Sequence, residues 1–301
     1  SGYDFSLAAR HLVTGEAVAR DADRLLPLAS TYKIAIAVTA LQKVAAGALS
    51  LADQIELLPI DYVAPGPVSE AITDDGFRLP FKTLLRLMMT HSDNSATDAV
   101  LRVIGGPSAV MTCLAALDVA PFAVSRNTRD LIRAYFDFAP LEAKLADGVT
   151  MADAMIACED RADMAVHYDR LIADQDWQVR FMADPQDKGS AAAMVDLLEK
   201  IVDGTALDVE GRTLLLSIME GCVTGDNRLR AGLPVGVSVA NKTGSLYPHC
   251  GAINDAGIVS LPDHNGQFAI AVFCPVNAHD YDPAEQVIAD AARLVFDYFT
   301  A

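Results

Sequence analysis

The chain is short of several things, and each shortage closes a route. Its 301 residues include only five cysteines and one tryptophan. Cys113, Cys158, Cys222, Cys250 and Cys274 are scattered without Cys-x-x-Cys spacing, so they build no disulfide framework, and an odd number leaves at least one unpaired in a monomer. The six histidines lie far apart, with neither His-x-His nor His-Glu-x-x-His among them, which argues against a zinc centre. No metal and no cofactor is therefore expected. Apolar runs fall far below membrane-spanning length, and Lys33 and Lys43 interrupt the one that follows Ser30, so no membrane span is expected. Basic residues are scarce too: 23 Lys and Arg face 40 Asp and Glu, for a net charge of −17. That balance argues against nucleic acid or an anionic membrane as partner, though charge at a local site can oppose the global sign. There is no internal repeat and no low-complexity tract.

What is plentiful is apolar. Hydrophobic residues make up 52% of the chain, enough for a substantial core in one large domain or two intertwined ones. The opening alternates as a hairpin, Asp4 to Ala9 and Ala17 to Arg20, with Thr14-Gly15 at the turn. Near the end lie three further strand candidates, Val235 to Ala240, Ala256 to Leu261 and Phe268 to Cys274, with a hairpin signal at Asp263-His264-Asn265-Gly266. A closing helix from Pro283 to about Tyr298 aligns Val287, Ala291, Leu294, Val295 and Phe299 on one face. Between these, Phe81 to Met89, Ala96 to Ile104, Pro107 to Leu117 and Ala191 to Val202 carry apolar residues at helical steps. Strands first, helices in the middle and strands last predict an α/β fold. Its antiparallel sheet is assembled from both termini with flanking helices, and an all-helical domain is inserted.

Three motifs carry the chemistry: Ser30-Thr31-Tyr32-Lys33, Ser92-Asp93-Asn94 and Lys242-Thr243-Gly244. A serine hydroxyl is a poor nucleophile without a base within hydrogen-bond reach. Ser30 precedes the run Ile34 to Leu41, which reads as a buried helix with Ser30 in its first turn and Lys33 one turn along the same face. A lysine held in a dry site beside another cation can give up its proton and act as base, and Lys242 supplies the second charge. Ser92 can relay a proton to the leaving group. Asn94 can offer its amide to a substrate carbonyl or to Lys33.

Together and in this order, the motifs resemble those of the class A β-lactamase family of serine hydrolases, relatives of the penicillin-binding proteins. Gly105-Gly106-Pro107, Ser190 to Met194 and Asn254 to Val259 extend the resemblance over most of the chain. The resemblance implies a sheet domain of residues 1–28 and 220–301 and a helical domain of residues 29–219. It makes Ser30, Lys33, Ser92 and Lys242 catalytic and puts the oxyanion hole at the backbone N–H groups of Ser30 and Ser245. Asn94, Thr243, Gly244 and Arg228 are then substrate-binding, with Arg228 gripping a substrate carboxylate. Implied with these are a small-molecule, carboxylate-bearing substrate, a monomer, and a periplasmic or secreted location after removal of a leader, although the chain opens directly on Ser1-Gly2-Tyr3. The two positions that form a disulfide in some class A enzymes are not cysteine here.

The family pattern breaks at the Ω-loop. Its Glu-x-x-Leu-Asn motif falls on Arg126 to Ile132, where Thr128 stands for the glutamate and Ile132 for the asparagine. Neither can serve as a general base near neutral pH. Asp187, the expected partner of Arg126 at the loop neck, comes several times later than the family spacing, so the region 126–187 carries an insert of about forty residues. That insert holds an expected helix around Val166 to Ile172, and it is either a decorative excursion or a lid that reshapes specificity. Glu142, Glu159, Asp160 and Asp163 within it could replace the missing base; Asp130 is expected to point away. Tyr62 is either an aromatic wall of the cleft or plain packing, and His249 is a turn residue or a cleft residue. The missing glutamate predicts acylation by β-lactams or related amides and esters, followed by slow deacylation. An esterase or D-peptidase of the penicillin-binding type, and a non-catalytic β-lactam or cell-wall peptide sensor, remain open beside it.

Overall fold

The opening hairpin forms as β1 (Ser6–His11) against β2 (Ala17–Arg20), with Gly15 in the left-handed region at the turn. The computed structural model describes residues 3–135, 150–153, 174–246, 251–262, 265–276 and 281–301. The chain end supplies β3 (Val239–Leu246), β4 (Gly251–Ser260) and β5 (Gln267–Val276), giving one antiparallel sheet in the order β2-β1-β5-β4-β3. The first and last strands are thus neighbours, Ala8 opposite Ala271.

β5 lies mid-sheet and is buried on both faces. Ile270, Val272 and Cys274 face the closing helix Asp282–Thr300, whose Val287, Ile288, Ala291 and Val295 they meet in one core. Ala269, Ala271 and Phe273 alternate to the other face and join the larger core of the helical region. This is the period of two that a doubly covered strand requires. Each large apolar side chain so buried contributes about 1.5–3 kcal/mol.

Two expectations need correction. The strand expected at Val235 begins only at Val239, because Pro234 to Val237 close a turn and Val235 is fully exposed. Leu294 is 70% exposed, so the buried stripe of the closing helix runs through Val287, Ile288, Ala291, Ala292, Val295 and Phe296 instead.

The helical region is centred on the helix Lys33–Ala45, buried from Lys33 through Leu41. Around it stand Phe81–Thr90, Asn94–Val103, Gly106–Ala116, Ala191–Val202 and Val209–Glu220. Caps define three of these starts: the Asp93 side chain accepts from Ala96 N, Ser190 from Ala193 N and Asp208 from Gly211 N. The helices Thr128–Tyr135 and Gln175–Ala183 flank the loop region, and Trp177 stacks on Phe181 and meets Tyr135 edge-on, anchoring that far end to the core. The expected helix around Val166 to Ile172, the insert carboxylates Glu142, Glu159, Asp160 and Asp163, and His249 lie outside the described residues. Among the described residues, no single helix is long and apolar enough to cross a membrane.

Candidate active site

Ser30 sits, half-buried, in a tight 3-10 turn, Ala29–Tyr32, that leads directly into the helix Lys33–Ala45. Ala29 before it takes a left-handed φ of 46°, a bend that brings the turn against the sheet. Gly244 of β3 makes the approach possible: a Cβ there would lie 2.8 Å from Leu28 O and 3.1 Å from Ser30 N. The third motif therefore meets the first for a steric reason legible in one missing side chain.

Lys33 is fully buried, and Nζ donates to Ser92 O and Asn94 Oδ1 at 2.8 Å and to Ser92 Oγ at 3.2 Å. Burial holds this ammonium well below its ordinary range, the Lys242 charge pushes it further down, and Asp93 and Asp98 partly oppose the shift. Ser92 itself has a φ of 57°, a strained conformation held by the capping carboxylate of Asp93, which accepts from Ala96 N and Val68 N.

Lys242 is also fully buried, with Nζ on Thr243 O at 2.7 Å; burial lowers it to about 8 against the opposing influence of Cys222 and Asp255. The Thr243 hydroxyl bonds that of Thr224 at 2.6 Å. Beneath the strand, Asn241 donates to both oxygens of Asp255, a buried carboxyl raised to about 6 by burial.

Arg228 is almost wholly buried and fully engaged. Its Nε pairs with Glu285 at 3.0 Å, Nη1 donates to Gly244 O and Asn254 O, and Nη2 donates to Ser245 Oγ at 2.7 Å. Ser245 is exposed at the strand edge. At the loop neck, Arg126 Nε donates to Asp187 Oδ2 at 2.6 Å, and Asp187 Oδ1 accepts the backbone N–H groups of Ser125 and Arg126.

Thr128 is buried, and its Oγ1 lies 2.5 Å from the Tyr32 hydroxyl. Its backbone N–H and that of Arg129 donate to the two oxygens of Asp98. Ile132 is half-buried and Asp130 faces Arg129, 3.7 Å from Nε. Tyr62 belongs to the main core, which favours plain packing over a cleft wall. Sequence reasoning missed Asp98 and Tyr32. Both signals were present: Asp98 follows Asn94 by one helical turn, and Tyr32 lies inside the first motif. Among the described residues no cluster of His, Cys, Asp and Glu could hold a metal ion.

The chain and its fold have known counterparts. A family model described as the beta-lactamase enzyme family matches residues 1–299. The extended-spectrum beta-lactamase PER-1 of Pseudomonas aeruginosa is 27% identical over 277 residues, 90% of this chain and 75% of that one. The carbapenem-hydrolyzing beta-lactamase KPC of Klebsiella oxytoca is 25% identical over 291 residues, 94% of this chain and 80% of that one. In three dimensions, a beta-lactamase from Chitinophaga pinensis superposes with a TM-score of 0.77 at 26% identity, over 99% of this chain and 94% of that one. With a family match over nearly its whole length, the chain belongs to the beta-lactamase enzyme family and is a serine hydrolase of the class A type.

Proposed function

We propose that Ser30 is the nucleophile, that β-lactams or related amides and esters acylate it, and that the acyl-enzyme is hydrolysed slowly. The observation that carries this reading is the buried Lys33 amine, whose charged form is disfavoured by burial and by Lys242, one turn from Ser30 and held by Ser92 and Asn94. Lys33 takes the Ser30 proton as Oγ attacks the carbonyl. The Ser92 hydroxyl passes a proton to the departing nitrogen, and the N–H groups of Ser30 and Ser245 receive the oxyanion. Thr128 in place of a loop carboxylate supports the slow second step.

The substrate carries a carboxylate near the bond that breaks. Arg228 donates to Ser245 Oγ, which leaves the serine's own proton free to face outward beside Thr243, with the Lys242 charge behind them. Arg228 thus acts on the carboxylate through Ser245. We place the enzyme outside the cytoplasm and treat it as a monomer, by family resemblance. Intact-mass measurement after mixing with a penicillin, a cephalosporin and a chromogenic ester tests the reading. A stoichiometric adduct on Ser30 that decays over minutes supports it; absence of any adduct or turnover refutes it. An adduct that never decays identifies a sensor that acylates and stops.

A further inference from the structure

The two hydroxyls of the proposed carboxylate site are both held from behind by one short segment, Cys222 to Arg228. Thr243 and Ser245 stand two apart on β3, so their side chains share a face. Arg228 Nη2 donates to Ser245 Oγ, and the Thr224 hydroxyl lies 2.6 Å from that of Thr243. Behind Thr224 stands the free, buried thiol of Cys222, whose Sγ is 3.3 Å from Thr224 Oγ1 and 3.7 Å from Thr224 O. Two contacts pin the segment. Val223 N donates at 3.0 Å to the carbonyl of Thr90, the last residue of the helix that leads to Ser92. Gly225, at a left-handed φ of 71°, presses so close that a Cβ there would lie 2.5 Å from Thr243 Cγ2 and 3.1 Å from Arg228 Cδ.

We propose that Thr224 and Cys222 are positioning residues that turn the Thr243 hydroxyl outward, so that its proton is donated to a substrate carboxylate. This rests on the reading of that face as the carboxylate site. No bond forms or breaks along the row; its effect is on binding.

A hydroxyl carries one proton, so the sense of a row of hydroxyls is set by the groups at its two ends. At the inner end the thiol is nearer to Thr224 Oγ1 than to Thr224 O, so the S–H donates to Oγ1. Thr224 then gives its own proton to Thr243 Oγ1, and the Thr243 proton is left for a ligand. The opposite sense would aim the Thr224 proton at sulfur, a weak acceptor, and turn a bare oxygen toward the ligand. At the outer end an ionised carboxylate only accepts, so it selects the outward sense. Ser245 reaches the same state by a shorter route, because the Arg228 guanidinium only donates. Thr243 and Ser245 thus present two O–H donors on one face, and a carboxylate between them accepts both.

The test uses stopped-flow acylation, which separates the dissociation constant of the first complex from the acylation rate. Benzylpenicillin and its methyl ester are compared in the parent, Thr224→Val, Thr224→Ser, Cys222→Ala and Cys222→Ser. Thr224→Val should raise the dissociation constant for benzylpenicillin about fivefold or more, keep its acylation rate within about twofold, and leave binding of the methyl ester unchanged. Cys222→Ala moves binding in the same direction by a smaller factor, and the two serine variants keep the affinity of the parent. A merely structural role would weaken acid and ester alike. If Cys222→Ala does not fold, the Thr224 valine and serine pair decides alone. Thr224→Val that binds benzylpenicillin as the parent does, or loses equally on the ester, overturns the ordering and leaves the carboxylate reading standing. Cys222→Ala at parent affinity beside a weakened Thr224→Val removes the thiol from the row. A parent that binds acid and ester equally, or binds neither, overturns the carboxylate reading and this inference with it.

Discussion

Lys33 Nζ lies 2.8 Å from Asn94 Oδ1, and this contact, with those to Ser92, ties the helix that follows Ser30 to the second motif. The bond joins residues 61 positions apart. A buried ammonium is costly unless paired, and Lys33 has polar acceptors but no direct ion partner among the described residues. The site resolves the cost by favouring the neutral amine. A neutral lysine is a base, and the same burial that disfavours its charge makes it useful beside Ser30.

Ser30→Ala should abolish covalent labelling by β-lactams and leave the fold intact. The side chain is half-buried in a 3-10 turn, so losing one hydroxyl is expected to change stability by no more than about 1 kcal/mol. Losing a nucleophile removes several orders of magnitude in rate. Intact mass with a penicillin and a thermal melt check both halves; labelling that persists in the alanine variant assigns the nucleophile elsewhere.

The protonation state of Lys33 should set the pH dependence of acylation. Its pKa in the folded protein lies well below that of a free lysine, so the base form fills in and acylation rises as pH climbs through that depressed value. Lys33→Arg keeps a cation that cannot deprotonate and should slow acylation by roughly 10²–10⁴. Stopped-flow acylation with a chromogenic cephalosporin from pH 5 to 10 reads both effects. A wild-type rate that does not change with pH would exclude Lys33 as base.

Much of this arrangement was legible in the sequence because it is local or periodic. The first hairpin and the helix Ala191–Val202 have residue patterns that leave few alternatives, and the three motifs are short enough to recognise. The start of β3 was misread because Val235 and Val237 look like strand residues, while Pro234 and the left-handed Gly236 impose a turn. Two relationships were out of reach for a different reason. Arg228 meets Glu285, 57 positions away, and Tyr32 meets Thr128, 96 positions away. No periodicity joins such distant positions. Only the packed sheet and helices bring them together, so Asp98 stayed an ordinary helix residue until Thr128 was seen against it.

Asp255 makes stability depend on pH in a definite direction. Its carboxyl is raised from 3.8 to about 6, so the folded state holds a proton that the unfolded chain releases. That contribution is fully present below pH 3.8 and is lost as pH rises through about 6. Asp255→Asn stays neutral and keeps one acceptor, so the parent should lose ground to it by on the order of 3 kcal/mol across this window. Urea unfolding of both proteins at pH 4 and pH 7.5 gives the difference directly. A difference that does not change with pH would mean that Asp255 ionises as an exposed carboxyl does.

Arg228 offers the sharpest separation between reading a substrate and supporting the fold. Its guanidinium spans β3, β4 and the closing helix through Gly244, Asn254 and Glu285, and only Nη2 reaches the exposed Ser245. Arg228→Ala should therefore cost stability, because it removes the ion-pair partner of Glu285 and leaves buried carbonyls unpaired. Ser245→Ala removes the outward hydroxyl while keeping the Arg228 bonds to Gly244, Asn254 and Glu285. With a carboxylate-bearing β-lactam, both variants should acylate more weakly by roughly 2 kcal/mol, about thirtyfold, while a neutral ester of similar shape is nearly unaffected by Ser245→Ala. Acylation rates on the two substrates, set beside melting temperatures, distinguish the cases. Equal losses on both substrates in Ser245→Ala would show that this edge of the cleft positions the strand and does not read the carboxylate.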